Sequence, residues 1–295
     1  MTFQCSSRDL RPAHNACRIE SLLMLKTYLA QRRRIVNQAL NRYLPGVHQG
    51  PGSIHQAMRY SVLGEGKRIR PILALAACEA VGGKLSAALP TACALELIHA
   101  YSLVHDDLPA MDDDDIRRGK PSCHRQFGEA VGILAGDALR TYAFELLSRA
   151  NHDSTTHLAV IQEVARSIGT QGMIGGQVAD IQSSGRKMDP RAVVAIHARK
   201  TGALIAGSVR VGALLGRAKP AAYRALCRYG QQIGLVFQLV DDLLDHDGLA
   251  EVASERSVRA RAQRLTQEAV ALLSPLGRRA EPLRELAGFI LTRGT

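Results

Sequence analysis

The sequence predicts an all-α fold, and three observations carry that prediction. Long stretches rich in Ala and Leu repeat their apolar residues every three or four positions, which is the spacing of one face of an α-helix. Alternating apolar and polar residues, which would indicate strands, are scarce. Gly and Pro occur in short clusters such as 44–46 and 81–83, and no long Gly/Ser linker is present. We therefore expect the helices to pack together in one bundle.

The helical spacing recurs along most of the chain. In order, the stretches that carry it are 21–43, 72–80, 87–107, 130–150, 156–180, 190–215 and 221–245. The chain has 295 residues, of which 46% are hydrophobic, so it has enough apolar surface for one large core. We expect a single all-α domain over residues 21–295 after a poorly ordered N-terminal extension over residues 1–20.

The net charge of +11 raises the question of a polyanionic partner. Much of the excess lies near the N-terminus and in the last 45 residues, whereas the middle of the chain carries dense acidic clusters. Aromatic residues make up only 4% of the chain and Trp is absent, so stacking platforms for single-stranded nucleic acid are poorly supplied. We expect no nucleic-acid partner and a small anionic substrate instead.

The cysteines and the hydropathy of the sequence indicate the cellular compartment of the protein. The six cysteines are scattered without Cys-x-x-Cys spacing and are expected to be reduced core residues. No continuous apolar run is expected to span a membrane, and the first residues lack the pattern of a signal peptide. These patterns predict a cytoplasmic protein without a transmembrane segment.

Two aspartate clusters carry the functional prediction. The first contains Asp106, Asp107 and 112–115 at the end of one helical stretch, and the second contains Asp241, Asp242 and Asp245 at the end of another. An acidic run by itself is usually a solvated helix end or a calcium loop. Asp241 and Asp245, however, share a helix face next to an apolar stripe, where unpaired charge is costly. Magnesium ions with a bound diphosphate would neutralise two such clusters.

Basic residues near the clusters are candidates for binding phosphate oxygens. Lys67 and Arg70 lie in a flexible turn before a helix that begins with proline. Arg117 and Arg118 directly follow the first cluster; guanidinium groups bind phosphate in a bidentate manner, although local charge balance would also explain them.

Three further polar residues interrupt apolar stretches. His99 lies seven positions before Asp106 and hence on nearly the same helix face, where a histidine is more often a hydrogen-bonded core residue. Lys200 and Thr201 lie inside the apolar stretch 190–215. These positions are candidates for the wall of the pocket.

In combination these motifs resemble the trans-prenyl diphosphate synthase family, in particular its bacterial farnesyl diphosphate synthases. The similarity runs collinearly from Gly64 to about Asp245. The motifs that carry it are Gly-Lys-Arg-Ile-Arg-Pro at 66–71, the His-Asp-Asp of the first cluster at 105–107, Asp-Ile-Arg-Arg-Gly at 115–119, Gly-Asp-Ala-Leu at 136–139, Gly-Gly-Gln at 175–177, Lys-Thr-Gly at 200–202 and the second aspartate cluster. The two additional residues before Asp112 are typical of the bacterial subgroup.

The resemblance implies an isoprenoid-synthase-type helical bundle around a deep apolar cavity, usually in a homodimer. It assigns three Mg²⁺ ions to Asp106, Asp112 and Asp241. It assigns supporting catalytic roles to Asp107, Thr201, Asp242 and Asp245, the allylic diphosphate to Arg117, Lys200 and Gln238, and isopentenyl diphosphate to Lys67, Arg70, His99 and Arg118.

The reaction implied is condensation of isopentenyl diphosphate with dimethylallyl and geranyl diphosphates to give farnesyl diphosphate. Product length is assigned to Tyr101, which precedes Asp106 by five residues and so lies roughly 7.5 Å along the helix, while Ser102 beside it leaves room. A geranylgeranyl diphosphate synthase is the nearest alternative. A terpene cyclase would share the ionisation step but would have no use for the second set of basic residues.

The chain departs from the family pattern after Asp245. Family members carry a Gly- and Lys-containing loop there, whereas this chain has no lysine after Lys219. A further alternative is therefore a low-activity or non-catalytic subunit of a prenyl synthase. Arg256 or Arg259 would be the replacements for the missing cation.

Overall fold

A computed structural model describes residues 11–149, 152–183, 188–245, 249 and 253–293 of the chain. Side chains are described from Leu23 onward within these ranges, except that of Asp245. The first helix begins at Arg11, inside the extension predicted for residues 1–20. Residues 1–10 lie outside the described ranges, so the boundary at residue 20 stays a prediction.

The described residues are almost entirely helical, which confirms the all-α class. The α-helices are α1 (Arg11–Tyr43), α2 (Gly52–Leu63), α3 (Ile69–Ala80), α4 (Leu85–Asp106), α5 (Cys123–Phe127), α6 (Glu129–Ser148), α7 (Ser154–Ile168), α8 (Met173–Ser183), α9 (Pro190–His197), α10 (Ala203–Leu215), α11 (Pro220–Asp245), α12 (Glu255–Leu272) and α13 (Glu281–Thr292). A π-helical turn, Ala198–Gly202, joins α9 to α10, and a 3₁₀ segment, Ser274–Ala280, precedes α13. The strands β1 (Ile116–Arg117) and β2 (Lys120–Pro121) form one short antiparallel hairpin.

Helix α4 lies in the centre of the bundle, where it packs on α3 and α6. Its side chains from Ala92 to Ile98 are buried, including Leu95 and Leu97 at zero exposure. Among the described helices it is the one that is long and apolar enough to cross a membrane, but 67% of its most apolar part is buried inside the protein. Burial against neighbouring helices explains this composition as that of a core helix.

Glycines set the close helix contacts that shape the centre of the protein. A Cβ on Gly212 of α10 would collide with the backbone of Ala74 in α3, so these two helices need a glycine to approach each other. A Cβ on Gly234 of α11 would lie 2.8 Å from the carbonyl oxygen of Gly202 in the π-helical turn. The second contact holds the turn that carries Lys200 against the helix of the second aspartate cluster.

Several elements differ from the predicted stretches. The stretch 156–180 is two helices, because the chain turns between Ile168 and Met173 and a side chain at Gly172 would collide with the backbone at Ser167. Helices α2, α5, α12 and α13 were not among the predicted stretches. Helix α12 carries four arginines in its first ten residues, where the apolar residues are mostly alanines, and this weakens its apolar periodicity.

Candidate active site

The ends of α4 and α11 border one cavity of about 870 Å³. Its described lining contains side chains from both aspartate clusters and the basic side chains that were predicted to bind phosphate. The predicted residues among them are Lys67, Arg70, His99, Tyr101, Ser102, Asp106, Arg117, Arg118, Lys200, Thr201 and Asp241. The fold therefore brings together residues that lie more than 170 positions apart in the sequence.

Asp106 is a partly buried carboxylate of the first cluster that lines the main cavity. Its pKa is raised to about 6, chiefly by burial; the charge of Lys200 opposes this shift, and the charges of Asp112 and Asp107 add to it. The neighbouring donors are carboxylate oxygens, which are the ligands that hard divalent cations prefer. Asp106 and Asp112 thus fit a magnesium ion by donor type and by the charge that such an ion would neutralise.

Asp107 points away from this group and anchors an arginine. Its side chain is 2% exposed and accepts a hydrogen bond from Nε of Arg117 at 2.9 Å, and the same guanidinium also pairs with Asp114 at 2.7 Å. Two carboxylates therefore hold Arg117 at the rim of the cavity, so that local charge balance and phosphate binding are compatible roles for this residue.

The loop after α4 folds back on the helix end. The amide of Asp112 donates to the carbonyl oxygen of Asp106 at 2.8 Å. Beyond it, side-chain atoms of Asp113, Asp115 and His124 lie within 4.8 Å of one another. Asp115 is already paired with Arg125 at 2.6 Å, so its charge has a protein partner.

A second, basic cavity of about 820 Å³ adjoins the first. Lys67, Arg70, His99 and Arg118 border both cavities. Burial lowers the pKa of Arg70 to about 10, which still leaves it charged at neutral pH. Burial and the surrounding arginines hold the pKa of His99 well below its usual range, so its imidazole is neutral there. The shared wall can thus contact anions in both cavities.

Arg68 lies in the same motif as Lys67 and Arg70 but has a structural role. Its guanidinium is buried, binds Glu96 at 2.7 Å and donates to Asn37, Val62 and Gly64. These contacts fix the turn before α3. They aim Lys67 and Arg70 at the cavities while Arg68 itself is fully engaged with the protein.

The π-helical turn presents Lys200 and Thr201 to the main cavity. Nζ of Lys200 lies 2.6 Å from Oδ2 of Asp180, an ion pair that the sequence did not predict. A Cβ on Gly176 would collide with the backbone of Lys200, so α8 approaches this turn through a glycine. Gln177, one residue further, lines the cavity, and the oxygen and nitrogen of its amide are buried without a hydrogen-bond partner in the described part of the chain. Its amide is available to a ligand.

At the second cluster, Asp241 lines the cavity and pairs with Arg293 at 2.7 Å. Arg293 stacks over the ring of Phe237 with its Cζ 3.4 Å from the centroid, and its side chain is only 7% exposed. The sequence did not predict a role for this arginine, because a single Arg directly after α13 carries no local signal of a site.

Asp242 lies outside the cavity lining. Its side chain is fully buried and accepts hydrogen bonds from Nε2 of Gln238 at 2.8 Å and from the amide of Leu249 at 3.0 Å, and His197 lies 3.1 Å away. Gln238 is thereby engaged with Asp242 and is also absent from the described lining. This geometry gives Asp242 a positioning role at the end of α11.

The remaining predictions concern the segment after α11. The side chain of Asp245 and residues 246–248 and 250–252 lie outside the described part of the chain, so the consequence of the missing lysine loop stays a prediction. Arg256 is exposed, and Arg259 pairs with Glu255 at 2.7 Å. Neither proposed replacement belongs to the described lining of the main cavity.

The cavity becomes apolar along α8, where the exposed side chains of Ile174, Val178 and Ile181 line it. Tyr101, on α4 five residues before Asp106, is 4% exposed, and its hydroxyl has no hydrogen-bond partner among the described residues. Burial raises the pKa of Tyr101 to about 12. The site therefore combines a charged end with an apolar compartment.

Comparisons with known proteins agree with this geometry. The sequence profile described as Polyprenyl synthetase matches residues 51–257. The farnesyl diphosphate synthase of Geobacillus stearothermophilus is 43% identical over 232 residues, which cover 78% of each chain. The geranylgeranyl diphosphate synthase of Cyanophora paradoxa is 42% identical over 292 residues, which cover 91% of this chain and 96% of that protein.

The fold of a solved relative is similar over nearly the whole length. The apo structure of an FPP/GFPP synthase from Zymomonas mobilis has a TM-score of 0.86 and 38% sequence identity, and it covers 91% of this chain and 99% of its own. Sequence profile, relatives and fold lead to the same conclusion: this chain belongs to the polyprenyl synthetase family of prenyltransferases.

Proposed function

We propose that the chain is a short-chain trans-prenyl diphosphate synthase that makes farnesyl diphosphate from isopentenyl diphosphate and the allylic dimethylallyl and geranyl diphosphates. The observation that carries the proposal is the pair of adjoining cavities, one with carboxylates from two helices and one lined by basic residues. Two separate sites for anions beside one apolar compartment suit two diphosphate substrates whose hydrocarbon ends must meet.

The proposed binding roles follow the two cavities. Lys67, Arg70, His99 and Arg118 hold isopentenyl diphosphate on the shared wall. Arg117 and Lys200 hold the allylic diphosphate, and Asp106, Asp112 and Asp241 hold its magnesium ions, three by the family resemblance. When bound, these ions supply positive charge to the diphosphate as it departs. Asp107 keeps Arg117 in place through its hydrogen bonds.

In the proposed reaction the bond between C1 and the diphosphate oxygen of the allylic substrate breaks, and the bonding electrons leave with the diphosphate. Arg117 and Lys200 stabilise the departing anion. The hydroxyl of Thr201 and the amide of Gln177 offer neutral dipoles to the allylic cation. The double bond of isopentenyl diphosphate then attacks C1, and a proton leaves the new chain to the released diphosphate. The apolar wall of α8 excludes water, which would otherwise quench the cation.

The proposal for farnesyl product rests on Tyr101, which borders the apolar compartment. A geranylgeranyl product is the second candidate, because relatives with both names have similar identity to this chain. The proposal includes a cytoplasmic homodimer. The support for a homodimer is that α6 and α7 expose apolar side chains, those of Ile133, Leu134 and Leu158, which a second copy would cover.

The test is incubation of the purified chain with dimethylallyl diphosphate and radiolabelled isopentenyl diphosphate, with Mg²⁺ or with a chelator, followed by chromatography of the products. We expect Mg²⁺-dependent farnesyl diphosphate. Asp106→Asn and Asp241→Asn should each remove most of the rate at unchanged helix content, because each removes charge and little volume. No condensation by the wild type would favour the non-catalytic subunit, and near-normal turnover by both variants would refute the assigned metal ligands.

A further inference from the structure

A positive charge borders the apolar part of the main cavity. Arg140 of α6 is among its lining residues, and its side chain is 41% exposed. Its Nη2 lies 3.0 Å from Oδ1 of Asp137, and its Cζ lies 5.6 Å from the centroid of the Tyr101 ring. A compartment for a hydrocarbon chain does not need an arginine, so this residue calls for an explanation.

The packing of α4 against α6 places Arg140 away from the carboxylates. At the end of α4, His105 lies against α6, where its Nε2 is 3.0 Å from the carbonyl oxygen of Ile133 and a side chain on Gly136 would collide with its ring. One turn earlier on α4 lies Tyr101, and one turn later on α6 lies Arg140. The two helices thus run in opposite directions, and each step from the Asp106 end of α4 is a step toward Arg140.

The other wall of this region is apolar. Ile174, Val178 and Ile181 of α8 line the same cavity and expose between 37% and 49% of their side-chain surface. A hydrocarbon tail extending from the diphosphate end would contact these residues on one side and Tyr101 on the other. Its growing end would then reach the guanidinium of Arg140.

We infer that Arg140 is a specificity-determining residue, whose guanidinium, held by Asp137 and the ring of Tyr101, limits the length of the prenyl tail. The inference rests on the proposed function and names a second residue beside Tyr101 for the same compartment. Adding a five-carbon unit past this point would displace water from a guanidinium that has a single carboxylate partner at 3.0 Å. Uncompensated desolvation of a charge opposes that step, whereas an apolar side chain would not.

The chain offers a matched control at the end of the same helix. Arg149 directly follows α6 and pairs with a carboxylate, that of Glu145 on α6, but it is absent from the described lining of the main cavity. The test compares product distributions of the wild type, Arg140→Leu, Arg140→Lys and Arg149→Leu with dimethylallyl and isopentenyl diphosphates. We expect Arg140→Leu to raise the fraction of products one isoprene unit or more beyond the wild-type product by at least fivefold. Arg140→Lys, which keeps the charge, and Arg149→Leu should keep the wild-type distribution.

A binding measurement makes the test independent of turnover. Calorimetry with farnesyl and geranylgeranyl diphosphates gives the affinity ratio of the shorter to the longer tail, and we expect this ratio to fall at least fivefold in Arg140→Leu and to be kept in Arg140→Lys. An unchanged distribution and an unchanged ratio in Arg140→Leu would overturn the inference while leaving the proposed function intact. An equal shift in Arg149→Leu would overturn it too. A wild type that neither binds nor condenses these diphosphates would instead refute the proposed function.

Discussion

Arg293 and Asp241 form an ion pair of 2.7 Å between the end of α13 and the second aspartate cluster. The side chain of Arg293 is only 7% exposed, and its Cζ lies 3.4 Å from the centroid of the Phe237 ring. A cation from another helix therefore contacts the carboxylate to which the proposed function assigns a metal ion. A metal ion that binds Asp241 must compete with this guanidinium.

Removing the competitor should strengthen metal binding. We expect Arg293→Ala to lower the dissociation constant for Mn²⁺, a paramagnetic ion that also takes carboxylate ligands, by roughly threefold to tenfold, since a charged contact of about 1 kcal/mol or more no longer has to be broken. Electron paramagnetic resonance of the free ion measures this directly without substrate or turnover.

The control for this measurement is Arg259→Ala, which removes an arginine paired with Glu255 on the neighbouring helix α12. Its Mn²⁺ affinity should equal that of the wild type. In an Asp241→Asn background, Arg293→Ala should lose its effect, because the shared carboxylate is gone. Weaker Mn²⁺ binding in Arg293→Ala would contradict competition and indicate that Arg293 supports the metal site.

Two arginines of one motif should respond differently to mutation. Arg68→Ala leaves Glu96 buried at 2% exposure without its ion pair, and breaking a buried pair in this way costs about 3–5 kcal/mol of the free energy of unfolding. Arg70→Ala removes a residue whose Nε has no protein partner, so the fold should keep its stability while KM for isopentenyl diphosphate rises.

Urea unfolding and steady-state kinetics separate these roles. Lys67→Ala serves as the reference for loss of an exposed positive charge from the same wall. If Arg68→Ala were as stable as the wild type and only its KM rose, the structural role of Arg68 would be wrong.

The metal-free stability should depend on the protonation of Asp106. Its pKa is raised to about 6 in the folded protein, compared with about 4 for an unfolded aspartate. Between these values the folded state binds more protons than the unfolded state, so the free energy of unfolding rises as the pH falls from about 7 to about 4. Asp106→Asn removes this pH-dependent contribution to the free energy of unfolding. The variant should be more stable than the wild type by about 1–3 kcal/mol at pH 7.5 in chelator, and the difference should close near pH 4.

Urea titrations in chelator at pH 7.5, 6 and 4.5 measure this difference. Asp137→Asn is the matched control, since the Asp137 carboxylate on α6 is half-exposed and pairs with Arg140. A constant stability difference between Asp106→Asn and the wild type across this pH range would show that burial does not perturb Asp106.

The sequence predicted the residues of the site better than their partners. Periodicity located α4 and α11, and motif spacing predicted Asp106, Asp241 and Lys200, which line one cavity in the structure, because these signals are local. The partners Asp180 and Arg293 were missed, since an ion pair between distant helices has no signature in either segment. Asp242 shows the same limit: its position in the second cluster suggested a catalytic carboxylate, but the packing of α9 and Leu249 surrounds it with donors.

Tyr101 should set the product length together with its surroundings. It lies roughly 7.5 Å along α4 from Asp106 and borders the apolar compartment with an aromatic ring, whose hydroxyl has no hydrogen-bond partner among the described residues. Tyr101→Ala opens the compartment, so the products should shift toward geranylgeranyl diphosphate and longer chains. Tyr101→Phe keeps the ring and should keep the wild-type product, because the hydroxyl makes no contact that the product depends on. Chromatography of the products of the wild type and both variants tests this prediction. If the wild type already makes the twenty-carbon product and Tyr101→Ala does not change it, another residue forms the end of the cavity and the farnesyl assignment is wrong.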